Sequence, residues 1–407
     1  MTTIAQDFPL PLQPQEWQRL RQYRLERVQH ELERAGIGAV LVFDPQNVRY
    51  ATGSRNMAVW TLHNHVRYAF VPARGLPVLF EFGAGKWPVA SASYESIGEI
   101  RSTKSWTHFY AGSSKPQRVQ AWAKEIVDLL KHHCGSTKEL AFDHLDPMGL
   151  AAITRSGINV CDGEALMERA RLIKSDEEIK CIRHAIDVAE LGMSAMHQAL
   201  EPGITENQLW SLLHQTNIAH NGEWIETRLL SSGPRTNPWM QESSDRKIQR
   251  GDLVAFDTDM IGPNGYCADI SRTYLCGDQA ATSEQRRLYQ NAYEQIQHNI
   301  SIMKPGRSLR DVVLDEWQFP DEYLAYRYGL AHGVGLKDEY PFLVNSKDIA
   351  SLSDPELELQ PGMVLSLESY IGKTQGHEGV KLEEQILITE TGCDVLSTFP
   401  MENRLLD

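Results

Sequence analysis

Leu253-Val-Ala-Phe-Asp-Thr-Asp259, continued by Met260-Ile-Gly-Pro-Asn-Gly-Tyr-Cys-Ala-Asp269, is the stretch on which the reading of this chain turns. The apolar run predicts a buried strand. Its closing acids, Asp257 and Asp259, stand two apart, so the two-residue period of a strand sends both carboxylates to one face. Gly262-Pro-Asn-Gly265 is a strong turn signal that reverses the chain and returns Asp269 beside them on the partner strand. The plainer alternative is an acidic hairpin in water, but Val254, Phe256, Tyr266 and Ile270 flank these acids, and apolar flanks do not suit a solvated rim.

Three further segments add ligand-type residues. Met363-Val-Leu-Ser-Leu-Glu368 is an apolar strand ending in an acid after the turn Pro361-Gly362, and Gly379-Val-Lys-Leu-Glu-Glu-Gln-Ile-Leu-Ile388 is another, carrying Glu383 and Glu384. His332 lies in Ala331-His-Gly-Val-Gly335, where glycines let the backbone pack closely and leave the imidazole facing a cavity. Asp257, Asp259, Asp269, His332, Glu368 and Glu383 gathered in one pocket would repel one another unless cations neutralised them, so the set predicts a metal site. Oxygen donors with one imidazole favour Fe, Mn, Co or Zn, and bridging carboxylates accommodate two divalent ions roughly 3.5 to 4 Å apart.

The rest of the chain sets bounds on this reading. A length of 407 residues suits two domains, because single cores stop growing at roughly 250 to 300 residues. A formal charge of -14 and the absence of a Lys/Arg run argue against nucleic acid as a partner. The six cysteines have no C-x-x-C spacing, which argues against a zinc ribbon or a disulfide framework and fits a reduced, cytoplasmic chain. The N-terminal stretch has no basic start followed by an apolar run, and no window approaches a spanning helix, so neither secretion nor membrane insertion is expected.

Helical spacing over 17–35, a buried strand at 38–43, strand-like runs at 68–71 and 77–81, a helix over 118–131 and a strand at 140–142 predict a small α/β domain over residues 1–165. Ser175 with Glu178 is a capping box that opens a long helix, whose stripe Ile179, Ile182, Ile186, Ala189, Met193 and Met196 faces a core. Further helices over 205–219, 283–303 and around 309–317, mixed with largely antiparallel strands, predict an α+β domain over 166–407.

These residues resemble the creatinase, aminopeptidase P, prolidase and methionine aminopeptidase superfamily. The resemblance spans essentially the whole chain and implies a pita-bread catalytic domain preceded by a smaller creatinase-like α/β domain. Within it, Asp257 or Asp259, Asp269, His332, Glu368 and Glu383 fall on the five dimetal ligands. Three departures stand out. The peptidases' first aspartate precedes the second by eleven residues, whereas Asp257 and Asp259 stand twelve and ten before Asp269. Trp239 and Glu339 occupy the positions of two proton-handling histidines. Those departures resemble the dimethylsulfoniopropionate lyase branch, which pairs an Asp-x-Asp with a Gly-Val-Gly-x-x-Asp-Glu run, here Gly333-Val-Gly-Leu-Lys-Asp-Glu339.

The lyase resemblance implies β-elimination of a small zwitterion, with Asp338 as the general base; a plain surface Asp is the alternative for that residue. Aromatic faces attract a sulfonium, and Tyr328 and Trp239 are candidates for the pocket wall. The family's dimers imply a homodimer in which Trp60 reaches the site of the partner subunit. The rival is a dimetal Xaa-Pro dipeptidase or aminopeptidase-type hydrolase using the same ligands, with Glu368 shuttling the proton. A pseudo-enzyme would have lost ligands, and none is obviously lost.

Overall fold

A computed structural model describes residues 10–86 and 88–406, so the N-terminal stretch read above for targeting signals lies largely outside the described residues. The chain divides into two compact units, Leu12–Arg171 and the part from Leu172 onward. Among the described residues no helix is long and apolar enough to cross a membrane.

The first unit is built on one six-stranded sheet. Its strands are β1 (Ala39–Val42), β2 (Tyr68–Pro72), β3 (Val78–Glu81), β4 (Glu99–Ser102), β5 (Glu139–Phe142) and β6 (Asn159–Asp162), ordered β4-β3-β2-β1-β5-β6. The β1/β5, β5/β6 and β3/β4 pairs are parallel and the others antiparallel. Leu41, Phe43, Tyr68, Phe70 and Phe80 pack against Trp122 and Ile126 of the helix Lys115–Cys134 to form its core. The sequence reading missed β4 and β6, whose residues are mostly exposed and so carry no apolar run, and the helix Pro45–Thr52, which is buried on every face and so has no periodicity.

The second unit opens with the helix Asp176–Ala199, whose capping box forms as read: Ser175 accepts from the Glu178 amide and Glu178 accepts from the Ser175 amide. From Ile182 to Met196 the stripe is buried, while Ile179 is half-buried at the first turn. The strands follow as β7 (Trp224–Ile225), β8 (Leu230–Ser232), β9 (Leu253–Asp257), β10 (Met260–Ile261), β11 (Cys267–Ala268), β12 (Ser271–Leu275), β13 (Ala331–Val334), β14 (Asp338–Leu343), β15 (Val364–Gly372), β16 (Gly379–Ile388) and β17 (Cys393–Val395). They form a five-stranded antiparallel sheet, β14-β13-β15-β16-β17, and two three-stranded ones, β12-β9-β8 and β11-β10-β7.

Leu288, Tyr289, Ala292 and Ile296 of the helix Ser283–Ile302 share one core with Leu365, Leu367, Leu382 and Ile386 of β15 and β16. That packing leaves the opposite face of the two long strands to the polar side chains Glu368, Lys381 and Glu383. Thr273 fastens β12 to β16: its hydroxyl donates to the Lys381 carbonyl (2.9 Å) and accepts from the Lys381 amide (3.0 Å).

Arg272 makes the same join from the other side. Its guanidinium donates to the carbonyls of Ser271 and Glu383 (3.0 and 2.8 Å), the Phe399 carbonyl (2.7 Å) and the Glu384 carboxylate (2.8 Å), and it is 1% exposed. Breaking a buried pair strands one charge, so Arg272→Met should cost about 3–5 kcal/mol, read as a lower urea midpoint. Neutralising both partners in Arg272→Met/Glu384→Met should recover most of it. An unmoved midpoint in the single variant would refute this account of the joint.

Candidate metal centre

β9 carries Asp257 at its end, and the strand stops there rather than running on to Asp259. Thr258 is the pin: its amide bonds the Ile270 carbonyl (3.2 Å), its hydroxyl donates to the Ala268 carbonyl (2.8 Å), and the Ile270 amide donates to that hydroxyl (3.0 Å). Asp259 then turns into left-handed backbone at φ 36°, a conformation Asp tolerates better than most side chains. Its carboxylate accepts from the Thr227 hydroxyl. Asp269 sits between β11 and β12, opposite Asp259 in the register that the flanking pairs Asp257/Ser271 and Met260/Ala268 set, with its amide on Gln385 (3.2 Å). The three acids still converge, each offering an oxygen within 4.8 Å of the others.

His332 joins from β13. Its Nε2 lies 3.4 Å from both Asp269 Oδ2 and Glu368 Oε1 and 3.9 Å from Glu383 Oε1. The Nδ1 is 3.0 Å from the Gly333 carbonyl, which can only accept, so that nitrogen carries the proton and Nε2 is the ligating atom of the neutral ring. Glu368 and Glu383 face each other directly across the β15/β16 ladder, an arrangement that repels without a cation between them.

One cation is the chain's own. Lys381 stands two residues before Glu383 on the same face of β16, fully buried, with Nζ 2.5 Å from Glu368 Oε2, 2.8 Å from Glu383 Oε2 and 3.1 Å from Asp257 Oδ2. It fills the space between three acids that would otherwise form a ligand triad of their own. The sequence reading missed it, although the alternation that placed Glu383 in the site placed Lys381 there too.

Two other groups suit ions from outside. Asp257/Asp259/Asp269 and Asp269/His332/Glu383 share Asp269, and Asp257 Oδ1, Asp269 Oδ1 and Glu383 Oε1 are buried with no hydrogen-bond donor. Such orphaned acceptors are costly unless a cation meets them. Five carboxylates against one ammonium leave four negative charges, which two divalent ions would cancel. The donor set therefore fits the divalent metals expected from the sequence.

The electrostatics say the same. Burial, and then the neighbouring carboxylates, push Asp259, Asp269 and Glu383 well above the usual carboxylate range. Burial alone would raise Asp257 also, but the Lys381 ammonium and hydrogen bonds with Glu383, Lys381 and Ser271 together outweigh it and hold Asp257 low. For His332, burial works against the imidazolium, yet Glu368, Asp338 and Glu383 outweigh it and raise the ring to about 10. Without metal, these groups hold protons that incoming ions would have to displace.

The remaining candidates divide into three. Asp338 opens β14, its Oδ1 3.9 Å from His332 Nδ1, and its side chain keeps 68% of its exposure, so solvent and small molecules can reach it. Crowding by the protein and the nearby acids nevertheless raises its carboxyl, against the pull of His332. Trp239 and Tyr328 pack in one cluster with Tyr370 and Ala255; Trp239 stacks on Tyr370 with centroids 6.1 Å apart, and Lys381 Nζ lies 5.8 Å from the Trp239 ring centre. Trp60 belongs to the first unit, half-buried in the helix Ala58–His63 with its ring 5.8 Å from that of Phe82. Cys267, which the sequence reading did not connect with the site, offers a thiol within 4.8 Å of oxygens of Asp269 and Asp338.

Glu339, at one of the positions where the peptidases carry histidine, is sealed off. Its Oε2 is 2.9 Å from Lys174 Nζ and its Oε1 accepts from the Leu336 amide (3.1 Å), with the Glu339 side chain 1% exposed.

Residues 180–390 match the metallopeptidase family M24, and residues 24–173 match the creatinase/prolidase N-terminal domain. The chain is 38% identical over 395 residues to a dimethylsulfoniopropionate lyase, DddP, of Roseovarius nubinhibens, covering 96% of this chain and 88% of that protein. It is 36% identical to the DddP of Roseobacter denitrificans, covering 95% and 87%. Among solved structures, an Xaa-Pro dipeptidase from Bacillus anthracis superposes with a TM-score of 0.73 at 22% identity, over 94% of this chain and 99% of that one. The architecture is thus the one expected: a creatinase-like α/β domain followed by a pita-bread α+β domain.

Proposed function

The chain belongs to metallopeptidase family M24, and from that membership we propose that it is a metal-dependent dimethylsulfoniopropionate lyase rather than a peptidase. The observation that carries the reading is what stands at the two positions where the peptidases use histidine. Trp239 has no titratable group and is stacked on Tyr370, and the Glu339 carboxylate is locked onto Lys174 away from solvent. Amide hydrolysis needs groups there to hold the substrate and its tetrahedral intermediate, even with Glu368 available to shuttle the proton. A β-elimination whose leaving group departs as a neutral sulfide does not. The two relatives named as lyases add weight.

In this proposal Asp257, Asp259 and Asp269 would hold one divalent ion, and Asp269, His332, Glu368 and Glu383 would hold the other. When bound, such ions would supply Lewis acidity at the substrate carboxylate, where negative charge develops as the α-proton leaves. Asp338 takes that proton; the C–H electron pair becomes the new C=C bond; the C–S bond breaks and its pair leaves with dimethyl sulfide, giving acrylate. Lys381 keeps the Asp257, Glu368 and Glu383 oxygens oriented, and the Trp239/Tyr328/Tyr370 faces receive the sulfonium end without competing as a base. A homodimer with Trp60 lent to the site of a second copy is part of the proposal.

Purified, metal-replete protein should release dimethyl sulfide and acrylate in equal amounts from dimethylsulfoniopropionate, measured by headspace gas chromatography. Against a panel of Xaa-Pro dipeptides its kcat/KM should be lower by about 10^2- to 10^3-fold or more, the usual cost of losing a donor that stabilises a tetrahedral intermediate. Brisk dipeptide cleavage with no sulfide would put the hydrolase in its place.

A further inference from the structure

We infer that Lys174, outside the metal cluster, is a positioning residue for the elimination: its buried ion pair with Glu339 fixes the face of β14 on which Asp338 stands. This rests on the lyase reading above. The pair joins residues 165 positions apart, Nζ to Oε2 at 2.9 Å, with the two side chains 3% and 1% exposed. The other oxygen of Glu339 takes the Leu336 amide, so the carboxylate closes the turn between β13 and β14 from inside. Gly335 makes room for it: a Cβ at that position would lie 2.5 Å from Glu339 Oε2. Lys174 is itself anchored, its amide bonded to the Gly362 carbonyl (2.9 Å) in the turn that leads into the strand of Glu368.

The consequence for Asp338 follows from strand alternation. Neighbouring residues of β14 point to opposite faces, Asp338 outward and Glu339 inward. The β13/β14 ladder has a register shift between His332 and Gly333, so backbone pairing alone fixes the phase of β14 weakly. A slip of one residue would bury Asp338 and expose Glu339. The ion pair forbids that slip, because only Glu339 reaches Lys174, and it keeps Asp338 Oδ1 3.9 Å from His332 Nδ1. Buried ion pairs add little stability over apolar packing, so specifying this register is the better account of the pair.

The test compares wild type, Lys174→Arg and Lys174→Met/Glu339→Gln, the last with no stranded charge, each also with Asp338→Asn. The readouts are kcat and KM for dimethyl sulfide release, and metal content by mass spectrometry. We expect the double neutral variant to keep its metal and, within about threefold, its KM, and to lose kcat by roughly 10- to 100-fold, the usual cost of displacing a reacting group through its support. Lys174→Arg should retain most of kcat, and on the Asp338→Asn background the neutral pair should change nothing further. A folded, metal-replete neutral pair with kcat within about threefold of wild type overturns the inference, as does a loss repeated in full on the Asp338→Asn background. Glu339→Gln alone, the milder isosteric change, carries the same comparison if the double variant does not fold. A wild type that releases no sulfide sinks the lyase reading and this inference together; a releasing wild type with an unaffected pair sinks the inference alone.

Discussion

Asp338→Asn should lower kcat for dimethyl sulfide release by about 10^3-fold, the middle of the range for a positioned general base, while leaving KM and metal content close to wild type. The substitution keeps the shape of the side chain and removes only its ability to accept the proton. Asp338 keeps 68% of its side-chain exposure, so no buried network depends on it for folding. The pH dependence has a definite sign. A base works deprotonated, so the wild-type rate should rise with pH through the carboxyl's folded value, which crowding by the protein displaces upward from 3.8 while bound ions offset the push of the nearby acids. In Asp338→Asn that acid limb should vanish along with most of the rate. Headspace chromatography across pH, with metal content measured on the same samples, checks both parts. An Asn variant within about threefold of wild type would remove Asp338 from the mechanism and reopen the choice between elimination and hydrolysis.

The same residue shows what sequence makes visible and what it hides. Asp338 was legible through its motif, and Asp257, Asp269, Glu368 and Glu383 through acids interrupting apolar strands, because an unpaired charge on a buried face needs an explanation wherever it occurs. The helix from Asp176 was legible for a different reason: its capping box and stripe are local, so its own residues suffice to specify it. What stayed hidden depends on contacts between distant segments. Lys381 reads as an ordinary strand lysine until Asp257, more than a hundred positions earlier, is brought to 3.1 Å from it. The Lys174–Glu339 pair likewise joins two unremarkable charges, and only the fold separates a sealed ion pair from two solvated side chains. Asp259 was placed on the right face by the wrong reason, since it lies beyond the strand end in left-handed backbone rather than in the alternation.

Removal of bound metal tests the remaining premise and should have the largest effect of all, because Asp269 is shared by both outer ligand groups and their orphaned oxygens have no other partner. Chelation should abolish sulfide release and lower the melting temperature. At free metal about a thousandfold above its dissociation constant, each site contributes about 4 kcal/mol, which at roughly 2–4 °C per kcal/mol for a unit of this size gives about 8–16 °C per ion. The pH dependence separates this from a loosely held ion. In metal-free protein Asp259, Asp269 and Glu383 are raised above their unfolded values, and His332 is raised from 6.5 to about 10. Groups raised in the folded state contribute stability that is complete below their unfolded values and is lost as pH climbs through the folded ones. Asp257, shifted the other way, matters only at the acid end. The chelated protein should therefore lose stability as pH rises from about 5 to 9, while metal binding, which needs these protons gone, strengthens over the same interval. Scanning calorimetry of metal-loaded and chelated protein should show a gap in melting temperature that widens with pH. A gap that is absent, or that narrows between pH 6 and 8, would mean that Lys381 and bound protons alone balance the cluster, and the divalent-ion chemistry argued for this chain would have no place to act.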